Sequence, residues 1–105
     1  MDESIVKQLV LKPSQAIRLG AQLAHEIRYA YLMYAPDGRP CGCALGLMAA
    51  GYGAVGNIYH IDDIAAYLKP RSGLSHRNLR QINRDHYFNG KTAAQIAYEL
   101  EAAGK

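Results

Sequence analysis

The chain has 105 residues and a formal net charge of +3 at pH 7, with half of its residues hydrophobic and a fifth of them charged. This length and composition predict one globular domain over residues 1–105 with its own core, which excludes a disordered or multi-domain protein. No apolar run approaches the roughly 20 residues that cross a bilayer. The acidic start MDESIVKQLV carries no secretory signal, so we expect a cytoplasmic protein without a membrane partner.

The first quarter of the chain predicts one ambiguous segment and one helix. Residues 3–11 place apolar side chains at helical spacing, but their valine and isoleucine content also suits a strand. Pro13 favours an extended conformation for the residue before it, which makes Ser14 the predicted N-cap of a helix. The apolar face of that helix continues to about Arg28, and Gly20 on this face predicts the close approach of another element.

The next segment, Arg28–Ala35, fits two structures. Apolar side chains at helical spacing continue into it, whereas its tyrosines suit the surface of a β-sheet. The segment has no β-branched residue, which favours helix or irregular structure over a strand. Two prolines around Asp37 and Gly38 predict a turn at residues 36–40. A short extended segment or hairpin at residues 28–42 stays open as the alternative.

An apolar helix and a short polar one follow the turn. Cys43–Ala50 is almost wholly apolar, which predicts a short helix buried in the middle of the fold. After a glycine-rich loop, Asp62 or Asp63 is the predicted start of a second helix. That helix runs through Leu68 and is expected to stop at Pro70, because proline disrupts a helix interior.

The last third of the chain predicts two amphipathic helices. Ser75 is the expected N-cap of a helix over residues 75–86. This helix has an apolar side and a basic side, formed by Leu79, Ile82 and His86 and by Arg77, Arg80 and Arg84 respectively. A capping box of Thr92 and Gln95 predicts the start of the final helix. The whole pattern indicates a mainly α fold, a single small domain of about five helices.

Four short motifs resemble a group of small uncharacterised bacterial proteins. They are Ser14–Ala21, Cys43-Ala44-Leu45-Gly46, Ile82-Asn83-Arg84-Asp85 and Thr92–Ala97. In that group a Cys-Ala-Leu-Gly-Ala helix precedes an Asn-Asp turn and a final Thr-x-x-x-Ile-Ala helix. Here Leu47 replaces the last alanine, and Arg84 separates Asn83 from Asp85. The resemblance implies a compact, mostly helical fold over residues 14–103 and no particular activity, and the Asn83 and Asp85 side chains are expected to bond the backbone at a helix end.

Positive charge is concentrated between residues 69 and 91, where six basic residues accompany a single acidic one. These six form the predicted binding surface for an anion or nucleic acid: Lys69, Arg71, Arg77, Arg80, Arg84 and Lys91. Tyr87 and Phe88 would lie nearby as stacking groups. The first functional hypothesis is a non-catalytic accessory protein, from a bacterium or a mobile element, that binds nucleic acid or an acidic protein surface. The alternative is a solvated helix face that keeps a small protein soluble.

Two further hypotheses concern the tyrosines and the cysteines. Eight tyrosines against one phenylalanine suit the rim of an interface, and Tyr29, Tyr31 and Tyr34 predict a homodimer contact. Cys41 and Cys43 are too close in sequence for an unstrained disulfide, and with the scattered histidines they make an incomplete metal-binding pattern. A thiol or metal site at this pair is the third hypothesis. We expect no cofactor and no catalysis, because no nucleophile, base and orienting group occur together.

Overall fold

The computed structural model describes residues 10–105, which form five α-helices and three short strands. In chain order they are α1 (Pro13–Leu23), β1 (His25–Glu26), β2 (Leu32–Tyr34), β3 (Pro40–Gly42), α2 (Ala44–Gly51), α3 (Ile61–Ser72), α4 (His76–Tyr87) and α5 (Ala93–Ala102). The prediction of a mainly α domain of about five helices is confirmed. The predicted helix or strand at residues 3–11 lies almost wholly outside the described residues.

Helix α2 is the centre of the fold. Its first seven residues are buried, as its uniformly apolar sequence predicts. Helix α1 crosses it with the two backbones in contact, because a Cβ atom on Gly20 would lie 1.7 Å from the carbonyl oxygen of Leu47. A Cβ atom on Gly51 would likewise lie 1.9 Å from the carbonyl oxygen of Ala16. Glycine is therefore required on both helices, and the predicted close approach at Gly20 is confirmed.

Both predicted ends of α1 are wrong. The helix begins at Pro13 with Lys12 as its N-cap, because proline suits the first helical position, where no backbone donor is needed. Ser14 instead donates from its hydroxyl to the carbonyl oxygen of Lys105, at 3.1 Å. The helix ends at Leu23 rather than near Arg28, since the chain turns into extended backbone and enters the sheet.

The three strands form one small sheet in the order β1-β3-β2. Strand β1 runs parallel to β3, and β2 pairs with β3 in an antiparallel hairpin closed by the predicted turn. The preference for helix or irregular structure at Arg28–Ala35 is therefore wrong at Leu32–Tyr34, although the hairpin alternative is confirmed. Pairing with β3, together with a bridge between Leu32 and Ile58, outweighs the weak local propensity.

Helix α3 is longer than predicted at both ends. It begins at Ile61 with His60 as its N-cap and continues through Pro70 to Ser72, so the predicted start and stop are wrong. Pro70 lies in the last turn, and the helix ends two residues after it. Gly73, with a φ of 72°, ends the helix in the left-handed conformation.

The start signals of α4 and α5 are confirmed. The Ser75 hydroxyl accepts a hydrogen bond from the backbone N–H of Asn78, at 3.1 Å. The capping box at Thr92 is formed with Gln95 as predicted. The apolar side of α4 is buried against the core, as its pattern indicates. No helix in the described part of the chain is long and apolar enough to cross a membrane.

Candidate functional site

Three arginines project together from the outer side of α4, and we call Arg77, Arg80 and Arg84 the arginine face. All three are exposed. They line one open cavity of about 440 Å³ together with His76 and Gln81. Among residues 10–105 no carboxylate lies within 4.0 Å of any of these guanidinium groups. The face is therefore a concentration of positive charge that the rest of the described chain does not neutralise.

The one acidic residue of α4 is directed elsewhere. The Asp85 carboxylate accepts hydrogen bonds from the side chains of Gln81 and Asn89, both at 3.0 Å. It also lies 3.9 Å from the ammonium group of Lys91. The expectation that Asp85 bonds the backbone with its side chain is wrong, because these polar side chains compete for the carboxylate. Its carboxylate therefore bonds Gln81 and Asn89 and lies near Lys91, and it pairs with none of the three arginines.

The arginine face weakens the helix that carries it. Arg77 and Arg80 are three residues apart, and Arg80 and Arg84 are four apart, so both pairs place like charges on neighbouring positions. Arg77 also lies in the first turn, where the helix dipole disfavours a cation, whereas Arg84 in the last turn is favourably placed. Helix stability alone therefore does not account for this clustering.

The other three residues of the predicted basic surface differ from the arginine face. Lys91 binds Glu99, at 3.0 Å, and its pKa is raised by that hydrogen bond and by the charges of Asp85 and Glu99. Arg71 packs its guanidinium 3.8 Å from the ring centroid of Tyr67 and donates to the carbonyl oxygen of the same residue. Lys69 lies in the last turn of α3. None of the three lines the cavity of the arginine face.

A second cavity, of about 380 Å³, opens beside the C-terminal half of α4. Five aromatic residues line it, and we call them the aromatic cleft: Tyr29, Tyr31, Tyr59, Tyr87 and Phe88. Its other polar lining residues include Arg28 and Asn83. The volume lies within the range of small-molecule binding sites. The cleft thus gathers five of the nine aromatic residues of the chain at one place.

Arg28 is held in place at the edge of the aromatic cleft. Its Nε donates to the carbonyl oxygen of His86, at 3.1 Å, and its Nη2 to that of Lys91, at 3.4 Å. The guanidinium therefore binds one carbonyl group in the last turn of α4, where the helix dipole favours a cation, and one in the loop that follows the helix. This contact fixes the segment that carries Tyr29 and Tyr31 against α4.

A buried histidine–carboxylate pair lies behind the cleft and joins four elements. The ring of His86 is fully buried, and its Nε2 lies 2.7 Å from a carboxylate oxygen of Glu26. The backbone N–H of Ala44 donates to Nδ1 of the same ring at 3.4 Å, so the ring proton is on Nε2. The same Glu26 oxygen accepts the backbone N–H of Ala93 at 2.9 Å. Burial by itself would raise the pKa of Glu26. The hydrogen bonds from Ala93 and His86 and the positive charge of Arg28 lower this pKa.

The arginine face and the aromatic cleft are adjacent. Arg80, Asn83, Arg84 and Tyr87 follow the i, i+3, i+4, i+7 spacing of one helix side. Burial raises the pKa of the Tyr31 phenol, and the positive charge of Arg80 partly opposes that shift. The arginine therefore lies close enough to the cleft to act on it electrostatically. Asn83 lines the cleft, and the expectation that it bonds the backbone at a helix end is wrong.

No protein-family model, no curated protein and no solved structure matches this chain. The chemistry of the two adjacent surfaces is the basis for assigning a function. Guanidinium groups bind phosphate and carboxylate oxygens, aromatic rings stack on planar groups, and a side-chain amide such as that of Asn83 both donates and accepts hydrogen bonds.

Of the three tyrosines of the predicted homodimer contact, two line the aromatic cleft and one does not. Tyr29 and Tyr31 lie together in the aromatic cleft. Tyr34 is outside it, and its hydroxyl accepts a hydrogen bond from the backbone N–H of Gly56, at 3.2 Å. Sequence reasoning had no signal for Tyr59, because it joins the cleft from a loop that is distant in the chain. It did place Tyr87 and Phe88 near the arginines.

The two cysteines are both buried, and neither thiol is hydrogen-bonded to a histidine or a carboxylate among residues 10–105. Burial raises the pKa of the Cys43 thiol, although backbone N–H groups at the start of α2 partly oppose this effect. Cys41 lies within 3.8 Å of the carbonyl oxygen of Arg39. Nδ1 of His86 is already occupied by Ala44. No group of three or more metal-ligating side chains occurs within residues 10–105.

Proposed function

We propose that this protein is a non-catalytic nucleic-acid-binding module, of the kind used as an accessory factor by bacteria or mobile elements, and that the arginine face binds the phosphate backbone. The observation that supports this most strongly is the grouping of three guanidinium groups on one helix side without a carboxylate partner among residues 10–105. The short motifs that resemble those of small bacterial proteins suggest the source but not the activity.

The dimensions of the arginine face suit a phosphate backbone. Arg84 lies seven positions after Arg77, which corresponds to about 10 Å along a helix that rises 1.5 Å per residue. Successive nucleotides of a stacked strand are about 3.4 Å apart along the axis, so this length covers roughly three of them. Arginine binds phosphate through a planar fork of donors, which makes it better suited to this contact than lysine.

The neighbouring aromatic cleft favours nucleic acid over an acidic protein surface. A carboxylate-rich protein would satisfy the arginines but would leave a row of partly exposed rings without a matching group. Nucleic acid offers phosphates and flat bases at fixed spacing. Guanidinium groups that bind phosphates and aromatic rings that stack on bases both occur here on one side of the molecule. The two surfaces therefore complement one ligand.

Reversing two charges of the arginine face tests this function. We expect the double variant Arg77→Glu with Arg80→Glu to bind a fluorescein-labelled oligonucleotide at least about 100-fold more weakly, because two phosphate contacts become repulsive. Fluorescence anisotropy at low salt measures the affinity. Glutamate is favoured in the first turn of a helix, so the Arg77 change does not threaten folding.

The control is Arg39→Glu, which reverses one positive charge, half the change of the double variant, in the exposed turn between β2 and β3 and outside both cavities. The proposal requires this variant to retain most of the affinity. Equal losses in the double variant and in the control, after correction for net charge, would show that binding is a general charge effect. Affinity that the double variant leaves unchanged would overturn the proposal.

A second candidate function is a homodimer formed through the aromatic cleft. The observation that favours it is the exposure of the cleft rings, since Tyr29 is 77% exposed and Phe88 is 72% exposed. Grouped exposed apolar side chains often mark a protein interface. Sedimentation equilibrium over a wide concentration range tests it, and a single monomeric species throughout would exclude it.

A further inference from the structure

We infer that the aromatic cleft binds an unpaired base of a nucleic-acid strand whose phosphates lie on the arginine face, so that the protein selects single strands over duplexes. This inference rests on the proposed function, because it needs a nucleic acid as the ligand. It adds a second binding site, with a different chemistry, and a preference that the arginines alone would not produce.

The rings of the cleft are accessible and arranged to receive a flat group. Tyr59 is 64% exposed and Tyr87 is 52% exposed, in addition to the still more exposed Tyr29 and Phe88. Tyr87 and Phe88 meet edge to face, with their centroids 4.7 Å apart and an angle of 79° between the ring planes. Such a pair does not stack face to face, so its members still have faces that a base can cover. Stacking on aromatic side chains is the usual way in which proteins bind unpaired bases.

The polar groups of the cleft suit the edge of a base. In the described part of the chain the Asn83 side-chain amide has no hydrogen-bond partner, whereas the neighbouring Gln81 donates to Asp85. An asparagine amide offers one donor and one acceptor side, which matches the paired groups on a base edge. Arg28 is anchored through Nε and Nη2, so its plane is fixed at the cleft before a ligand arrives.

The distance between the two sites is set by one helix. Asn83 lies between Arg80 and Arg84 in sequence, and Tyr87 lies one turn further on the same side of α4. A strand that places phosphates on Arg80 and Arg84 therefore passes directly beside the cleft. A base can enter the cleft only when it is turned out of a stack, and this requirement is met by a single strand without breaking a base pair.

The test compares single strands and a duplex on variants of the cleft. The probes are fluorescein-labelled oligothymidylate and oligouridylate of about 12 nucleotides, and a DNA duplex of the same length. We expect Tyr29→Ala and Tyr59→Ala each to weaken single-strand binding about tenfold and to change duplex binding less than about twofold. Both side chains are largely exposed, so their truncation should not unfold the protein. The DNA and RNA arms decide which single strand is preferred.

The matched control is Tyr98→Ala, an exposed tyrosine on α5 that lies outside the cleft and should leave all three affinities unchanged. Salt-dependent binding of both strand types that is unaltered in the cleft variants would overturn the base site and leave the proposed function intact. Failure of the unmodified protein to bind any of the probes would overturn both. Loss of self-association in the cleft variants, with unchanged oligonucleotide affinity, would assign the cleft to a second copy of the chain.

Discussion

The two sides of α4 differ in how fully their polar groups are used. On the inner side His86 is buried, and both of its ring nitrogens have partners, one from β1 and one from the start of α2. On the outer side three guanidinium groups are exposed and find no carboxylate among residues 10–105. Folding explains the inner side, because both ring nitrogens of His86 form hydrogen bonds with other elements of the fold.

The outer side is not explained in the same way. Its like charges are spaced so that they repel one another, and its first member opposes the helix dipole. A sequence free to optimise only stability would not place three arginines at these positions. The difference between the two sides is what directs attention to binding, and the following substitutions test it from the largest expected effect to the smallest.

Gly46→Ala, in the buried helix α2, should have the largest effect on stability. A Cβ atom at this position would lie 1.5 Å from the carbonyl oxygen of Tyr31, so α2 and the segment that carries the cleft tyrosines must separate. We expect a loss of more than about 4 kcal/mol in the free energy of unfolding, because two backbones have to move. Urea denaturation followed by circular dichroism measures the change.

Gly90→Ala is the matched control for that substitution. Gly90 has a φ of 71°, but a Cβ atom there would meet nothing within 4 Å. The loss should be about 1–2 kcal/mol, which is the strain of a left-handed alanine alone. Similar losses for the two variants would show that the close approach of α2 to Tyr31 is absent.

Glu26→Ala should remove the next largest part of the stability. The substitution leaves two donors without a partner, Nε2–H of the buried His86 and the backbone N–H of Ala93. We expect a loss of about 2–4 kcal/mol in the free energy of unfolding at neutral pH. Glu101→Ala removes an exposed ion pair with Arg18 and should leave stability nearly unchanged.

The pH dependence of stability provides the internal control for Glu26. Its pKa in the folded protein is lowered from the ordinary value of 4.5, so its ionised form stabilises the fold above that pH. This contribution is lost as the pH falls through the lowered pKa of the folded protein. The difference in stability between the unmodified protein and Glu26→Ala should therefore narrow at acid pH. A difference that stays constant between neutral pH and pH 3 would contradict the contact.

Arg77→Glu should have the smallest effect on stability, and it should be a gain. The change removes a repulsive pair with Arg80 and places a carboxylate in the first turn of α4, where the dipole favours it. We expect a gain of about 0.5–1 kcal/mol in the free energy of unfolding, measured by urea denaturation. Arg39→Glu should produce no comparable gain. A loss of stability in Arg77→Glu would mean that Arg77 has a structural partner.

Local signals predicted α4, α5 and the arginine face well. The caps of α4 and α5 depend on residues three positions apart, and the basic and apolar sides of α4 follow from the helical period. These features need no knowledge of the rest of the chain. The arginines are therefore exposed together as predicted, while their binding role stays a prediction.

Features built from distant residues could not be predicted in the same way. Strand β2 forms because β3 and Ile58 supply its hydrogen bonds, against the local preference of its sequence. The contact between Glu26 and His86 joins positions 60 residues apart. The aromatic cleft combines two loops with the end of α4, and no spacing in the sequence marks Tyr59 as its neighbour.

The salt dependence of oligonucleotide binding tests the central claim most directly, namely that the arginine face contacts phosphates. For three phosphate contacts to a single strand, log K should fall with log salt concentration with a slope of about −2, at roughly 0.7 per contact. The neutral double variant Arg77→Gln with Arg80→Gln should reduce the slope to about −0.7. A slope near zero for the unmodified protein, or the same slope for both proteins, would contradict the account.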